Sequence, residues 1–306
     1  MDLSDKAVKK AQRGEGGSLL ERAAQRLEQT DSGPSHIMRA QEKQGAAMPP
    51  APSDFDEAAA GRRSRRDEID LLALREAGYI VPDAPPNIIA EEFRLIKRSL
   101  LLNAFGKGMT AIPNGNLILV TSSQPNEGKT FCAINLALSI ASERDYTVLL
   151  VDADFAKPEV LSTLGLEGGK GLVDLITDPG LDMADCLIRT NIPNFAVLPA
   201  GRQHHLTTEL LASDRMGKIV EEIAARYRDR VIIFDSPPVL ASSAPAVLAL
   251  HVGQVAYVVE ADKTRGPQLE EGLALLNGCQ HISLMLNKTQ FSGSSRKFGA
   301  YYAYGQ

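Results

Sequence analysis

The run Ser123-Gln124-Pro125-Asn126-Glu127-Gly128-Lys129-Thr130 has the residue types a phosphate-binding loop needs. It fits the Walker A spacing except at its first position, where Ser123 replaces glycine. In such a loop, backbone N–H groups present partial positive charge to phosphate oxygens. Lys129 would reach the outer phosphates, and the Thr130 hydroxyl would ligate Mg²⁺. Ser123, Asn126, Glu127, Gly128 and Phe131 complete the expected nucleotide-contacting set. Two carboxylate motifs accompany the loop: Asp152-Ala153-Asp154 and Asp235-Ser236-Pro237-Pro238. Magnesium prefers oxygen ligands and keeps several waters, so one or two carboxylates plus phosphates suffice. Thr130, Asp154 and Asp235 are the candidate metal ligands. Asp152, least needed for the metal, is the candidate general base. Lys129, Asp152, Asp154 and Asp235 together make a phosphoryl-transfer set. Any one aspartate read alone also fits a strand-end cap; three of them beside a phosphate loop argue against it.

These residues must be held by a particular kind of scaffold. Short apolar runs precede each motif: 117–121 before the loop, 147–152 before the first aspartate pair, 231–235 before the second. Further strands are expected at 195–199, 255–260 and 282–287, with helices at 129–143, 208–227, 245–251 and 268–276. Continuous apolar strands alternating with helices predict a mostly parallel α/β sheet covered on both faces. Ligands bind such sheets beyond the C-terminal strand ends, where all three motifs lie. Asn287 closes the last strand, in Asn287-Lys288-Thr289-Gln290. The fourth position is not Asp, so a guanine-reading NKxD pattern is incomplete and adenine is favoured. Asn287 is either a base contact or a polar strand end with no ligand.

The 306 residues carry 33 Lys plus Arg against 38 Asp plus Glu, a net charge of −5, which argues against a basic nucleic-acid binder. Three cysteines without CxxC spacing argue against a disulfide framework or zinc site and suit a reducing cytosol. No apolar leader or 20-residue span appears, so any membrane association would need a partner. Residues 1–86 are broken by Gly- and Pro-rich stretches and read as an arm with short helices at 18–30 and 67–77. The first is a packed helix or a docking helix. The basic run from Arg62 to Arg66 is a solvated cluster or a contact for acidic lipid. Of seven tyrosines, Tyr301, Tyr302 and Tyr304 fall in the last six residues. Their Gly and Ala neighbours suit a flexible, repeatedly phosphorylatable tail, 298–306.

Taken together, the motifs resemble those of the bacterial tyrosine autokinases of polysaccharide synthesis, P-loop kinases with a MinD/ParA-like fold. The resemblance runs from Glu91 to the C-terminus, so the kinase domain is placed at 87–306. Residues 125–130 are similar to that family's Walker A, 148–154 to its Walker A′ and 232–238 to its Walker B. Ala156 stands where Arg is usual, with Lys157 following it, and Asn126 replaces a usual Gly. The residues from Glu91 to Lys97 resemble the ExxRxxR oligomerisation helix, implying that Glu91 pairs with Arg94 or Lys97 of a neighbour in a ring. Parts of 18–27 and 70–80 are similar to the exosortase-associated subgroup. The resemblance implies an ATP- and Mg²⁺-dependent protein-tyrosine kinase of exopolysaccharide synthesis and export. It would phosphorylate its own tail tyrosines in trans. Implied partners are a membrane-bound Wzz-type chain-length regulator and a tyrosine phosphatase, with the chain cytoplasmic and peripheral to the inner membrane. Two alternatives stand: a MinD/ParA-like ATPase, or an ATP-binding scaffold of a polysaccharide export complex. Gln124, where the partition ATPases carry a signature Lys, favours the kinase.

Overall fold

The computed structural model describes residues 64–82, 84–85, 87–106, 112–202, 207–226 and 230–289. The expected helix at 18–30 and the tyrosine tail lie outside the described residues. Strands β1 (Arg65–Arg66), β2 (Leu117–Ser122), β3 (Thr147–Asp152), β4 (Ile188–Arg189), β5 (Phe195–Leu198), β6 (Arg230–Asp235), β7 (Gln254–Glu260) and β8 (Ile282–Asn287) form one sheet. Its order is β1-β4-β5-β3-β6-β2-β7-β8. Every pairing among them is parallel except β4 with β5.

The helices are α1 (Leu71–Glu76), α2 (Ile88–Phe105), α3 (Lys129–Ala141), α4 (Val160–Leu164), α5 (Leu172–Thr177), α6 (Thr207–Leu211), α7 (Asp214–Arg226), α8 (Ala244–Leu248) and α9 (Gly266–Ala274). None of the described helices is long and apolar enough to cross a membrane. The sheet lies between two apolar layers because side chains alternate across a strand. Ile118 and Val120 pack with Ile134, Leu138, Phe93 and Leu100 on one face. Leu117 and Leu119 pack with Leu172, Ile219 and Phe234 on the other. Both sets are fully or nearly fully buried, which explains why the strands are apolar without alternation. Removing a core side chain such as Ile134 would cost about 2–5 kcal/mol.

The body starts earlier than residue 87, where the sequence reading places it. β1 pairs with β4, and Ile69, Leu74 and Ile80 join the core under α2 and α3. The Ile80 N–H donates to the buried Asn135 Oδ1 at 2.7 Å. Within the basic run, Arg65 is held by Asp67 at 2.7 Å and Glu167 at 3.3 Å. The helix expected over 208–227 is two helices. Ser213 divides them: its Oγ donates to Leu210 O at 2.6 Å and accepts from Met216 N at 3.3 Å, a side-chain cap that restarts the helix.

Candidate phosphoryl-transfer site

β2 lies inside the sheet between β6 and β7 and delivers the chain into the loop 123–128. Asn126 and Gly128 adopt φ of 66° and 91°. These left-handed residues turn the backbone so that α3 starts at Lys129. Glycine suits 128 because its φ is left-handed, and an added Cβ would also have to push aside Asn287 Nδ2. No side chain caps the N-terminus of α3, which leaves its N–H groups for an anion. The loop after β6 is stitched to the same strand end. Thr121 Oγ1 donates to Pro237 O at 2.9 Å, and Val239 N donates to Ser122 O at 2.8 Å.

A cleft of about 610 Å³ opens above this junction, lined by Tyr79, Asn126, Lys129, Thr130, Asp154 and Pro237, among others. Lys129 is buried and its ammonium lies 3.3 Å from Asp154 Oδ2. Asp154 Oδ1 accepts from Lys157 N at 3.1 Å. Asp152, at the end of β3, accepts from the Asp154 N–H and the Val160 N–H, each at 3.2 Å. It does not line the cleft. Burial pushes its carboxyl up to about 7, against those two N–H donors that pull it down. Asp235 lies beside it in register on β6. Burial pushes Asp235 up to about 8, with the Thr130 hydroxyl pulling down and Asp152 adding to the rise.

Both Asp235 oxygens are buried; the Thr130 hydroxyl stands near enough to favour the charged form, yet neither oxygen receives a hydrogen bond of full geometry. An unpaired carboxylate at full burial is costly unless a cation or a proton compensates it. Two carboxylates on adjacent strand ends beside a threonine hydroxyl therefore fit Mg²⁺, which takes hard oxygen ligands. Among the described residues no three His, Cys, Asp or Glu side chains gather as a self-contained metal cage. A magnesium that shares its shell with phosphates and water needs fewer protein ligands.

The remaining expected residues take different places. Ser123 is turned under the loop, its hydroxyl 2.8 Å from the Tyr257 hydroxyl and away from the cleft. The Glu127 side chain is buried and accepts from Gln124 N at 2.7 Å. Asn287 donates through Nδ2 to Glu127 O at 2.9 Å, so its amide supports the loop from behind. Phe131 stands at the cleft beside Tyr79, ring centroids 5.1 Å apart and tilted by 48°. Tyr79 is a site residue that sequence reasoning missed. It comes from the segment read as an arm, and no spacing ties it to the phosphate loop.

Along α2, Glu91 and Arg94 pair with each other at 2.6 Å. Arg94 is exposed and Glu91 mostly covered, whereas Lys97 points into the body, which corrects its expected place in a contact between copies. It is buried, donating to Ser139 O at 2.7 Å and pairing with Glu143 at 2.6 Å. Lys97 stands three residues past Arg94, about 60° short of a full helical turn, and its side chain reaches inward to the C-terminal end of α3. The phosphoacceptor candidates Tyr301, Tyr302 and Tyr304 lie outside the described residues.

No known family profile matches the chain. Tyrosine-protein kinase wzc of Salmonella typhimurium is 29% identical over 236 residues, 76% of this chain and 31% of that protein. Succinoglycan biosynthesis transport protein ExoP of Rhizobium meliloti is 30% identical over 268 residues, 79% of this chain and 32% of that protein. The chain thus spans about a third of the length of these two relatives. The solved kinase domain of VpsO superposes with a TM-score of 0.56 at 28% identity, over 66% of this chain and 96% of that domain.

Proposed function

We propose that this chain is an ATP- and Mg²⁺-dependent protein-tyrosine autokinase acting in exopolysaccharide synthesis and export. The observation that carries the reading is the phosphate loop with Lys129 set against Asp154 and the two buried strand-end carboxylates behind it. Likeness to a tyrosine-protein kinase over 76% of the chain supports the acceptor class. Likeness to a polysaccharide transport protein supports the setting.

In this reading the loop N–H groups and the start of α3 bind the phosphates, and Lys129 leaves Asp154 to neutralise the transferred group. Thr130 and Asp235, with Asp152 alongside, would hold the magnesium. When bound, it neutralises charge on the phosphate oxygens. Asp154, which faces the cleft, takes over the base role first assigned to Asp152. A phenol entering from solvent meets Asp154 before the aspartates behind it. Tyrosine has an ordinary pKa near 10 and the transition state is loose, so positioning matters more than base strength. Tyr79 and Phe131 offer an aromatic wall to a planar ring.

The acceptors are Tyr301, Tyr302 and Tyr304, presented in trans by a neighbouring copy. Glu91 and Arg94 would exchange their mutual pair for a neighbour's. A pair whose arginine lies in solvent contributes little. Ile88, Leu95 and Leu102, exposed at seven-residue intervals along α2, supply apolar area for the contact. Phosphorylation adds about −1.5 to −2 charges per tyrosine, enough for several to drive copies apart. A Wzz-type membrane regulator would recruit the chain to the inner membrane, and a tyrosine phosphatase would reset it. Residues 18–30 are the candidate docking element, and similarity to the exosortase-associated subgroup suggests the gene context.

Incubation with ATP and Mg²⁺, with and without the regulator's cytoplasmic part, followed by phosphotyrosine mapping, tests the proposal. Label is expected on Tyr301, Tyr302 or Tyr304 and none in Lys129→Met. ATP hydrolysis without protein label under both conditions would favour the ATPase alternative.

A further inference from the structure

The phosphate loop is fastened from behind by two strand ends that carry no phosphate-binding motif. Glu127 is nearly fully buried, although it sits in the middle of the loop. One of its oxygens accepts from Gln124 N at 2.7 Å, closing the loop on itself. The other accepts from the Thr264 hydroxyl, in the turn between β7 and α9. Thr264 is fixed in its turn by the Glu260 N–H, which donates to Thr264 Oγ1 at 3.0 Å. From the end of β8, Asn287 Nδ2 donates to Glu127 O at 2.9 Å. The Lys288 ammonium donates to Asn126 O at 2.6 Å. Glu260 holds Lys288 and Lys263, each at 3.3 Å.

The backbone explains the need for these contacts. Asn126 and Lys288 both have left-handed φ, 66° and 57°, which side chains rarely adopt. Asn126 O and Glu127 O, the two carbonyls around the left-handed turn, each receive a donor from β8. With these carbonyls tied back on the far side, the loop N–H groups can face the cleft. The Asn287 side chain fills the space that Gly128 leaves by having no Cβ.

We infer that Glu127, Thr264, Asn287 and Lys288 are positioning residues that hold the loop in its phosphate-binding shape before nucleotide arrives. The inference rests on the nucleotide reading of the cleft and reassigns Asn287 from base contact to loop support. A loop held in advance need not be ordered by its ligand, so the network acts on phosphate affinity regardless of the base. Removal of any one support should weaken every phosphate ligand alike.

The test is calorimetric titration of MgADP and of magnesium pyrophosphate into the full chain. The proteins are the unaltered chain, Thr264→Val, Thr264→Ser and Asn287→Ala, each checked for folding by circular dichroism. Thr264→Val and Asn287→Ala should each weaken both ligands by the same factor, about tenfold, as for one lost hydrogen bond near a charged group. Thr264→Ser, which keeps the hydroxyl, should bind like the unaltered chain. Weakening of MgADP alone in Asn287→Ala would make Asn287 a base reader and overturn the inference, as would unchanged affinities in both variants. Where Thr264→Val does not fold, Lys288→Met, changed at a half-exposed side chain, carries the same comparison. If the unaltered chain binds neither ligand, the nucleotide reading itself falls, and the positioning role with it.

Discussion

The buried pair at the ends of β3 and β6 makes stability depend on pH in a direction that can be worked out. Asp235 ordinarily ionises near 3.8, and burial raises it to about 8 in the folded chain. Between those values the folded chain keeps a proton that the unfolded chain has released. Stability therefore falls as pH rises through that window and levels off above about 8. From pH 6 to pH 8 this one group accounts for about 3 kcal/mol, at about 1.4 kcal/mol per pH unit. Asp152, raised to about 7, adds about 1 kcal/mol between pH 6 and 7 by the same arithmetic. For a body of roughly 200 residues, 1 kcal/mol moves the melting temperature by about 2–4 °C. The unaltered chain should thus melt about 8–16 °C lower at pH 8.5 than at pH 6 when free of magnesium and nucleotide. Asp235→Asn removes the larger contribution and should lose only about 2–4 °C over the same interval. MgADP should raise the melting point of the unaltered chain at pH 8.5 and leave that of the variant nearly unchanged. The assay is a circular-dichroism melt at half-unit pH steps in chelator. A melting point that is flat or rising from pH 6 to 8.5 in the unaltered chain would refute the reasoning. So would an equal slope in Asp235→Asn.

Three further outcomes are expected. Gly128→Ala places a Cβ on a left-handed backbone against Asn287, so MgADP affinity should fall by about ten- to a hundredfold, the range of 1–3 kcal/mol of backbone strain; titration calorimetry reads it. Tyr79→Phe should leave MgADP affinity within about twofold, whereas Tyr79→Ala should lower it by about five- to tenfold and spare pyrophosphate, as a wall for a planar ring would. Lys97→Met should lower stability by about 1–3 kcal/mol without changing the mass by light scattering. Glu91→Ala with Arg94→Ala should do the reverse, reducing the mass with a stability change under about 0.5 kcal/mol.

How much of this was legible beforehand depended on how local the cause was. The apolar runs ending in Thr121, Asp152 and Asp235 announced buried parallel strands, because strands covered on both faces need no polar alternation. The motif order placed Lys129, Asp154 and Asp235 at one end of one sheet, and the fold brings them there. The short strands β1 and β4 carried no such signal, since two residues are too few to show a period. Proline-rich spacing at 82–86 suggested a boundary, while Ile69, Leu74 and Ile80 ahead of it pack into the core.

The sequence by itself determined the sheet, the phosphate loop and the set of acidic strand ends, because each follows from residue types at short range. Only the tertiary structure decided which of those residues face the cleft. Asp154 faces it, while Asp152 is held by its own loop's N–H groups and Asp235 is buried behind. Packing also turned Lys97 inward, brought Tyr79 in from residues ahead of the motifs, and set Thr264 and Asn287 behind the loop. Such placements depend on contacts between residues as far as 160 positions apart. A one-residue shift reverses the face a side chain presents on a strand and rotates it by about 100° on a helix, so spacing within one segment could not supply them.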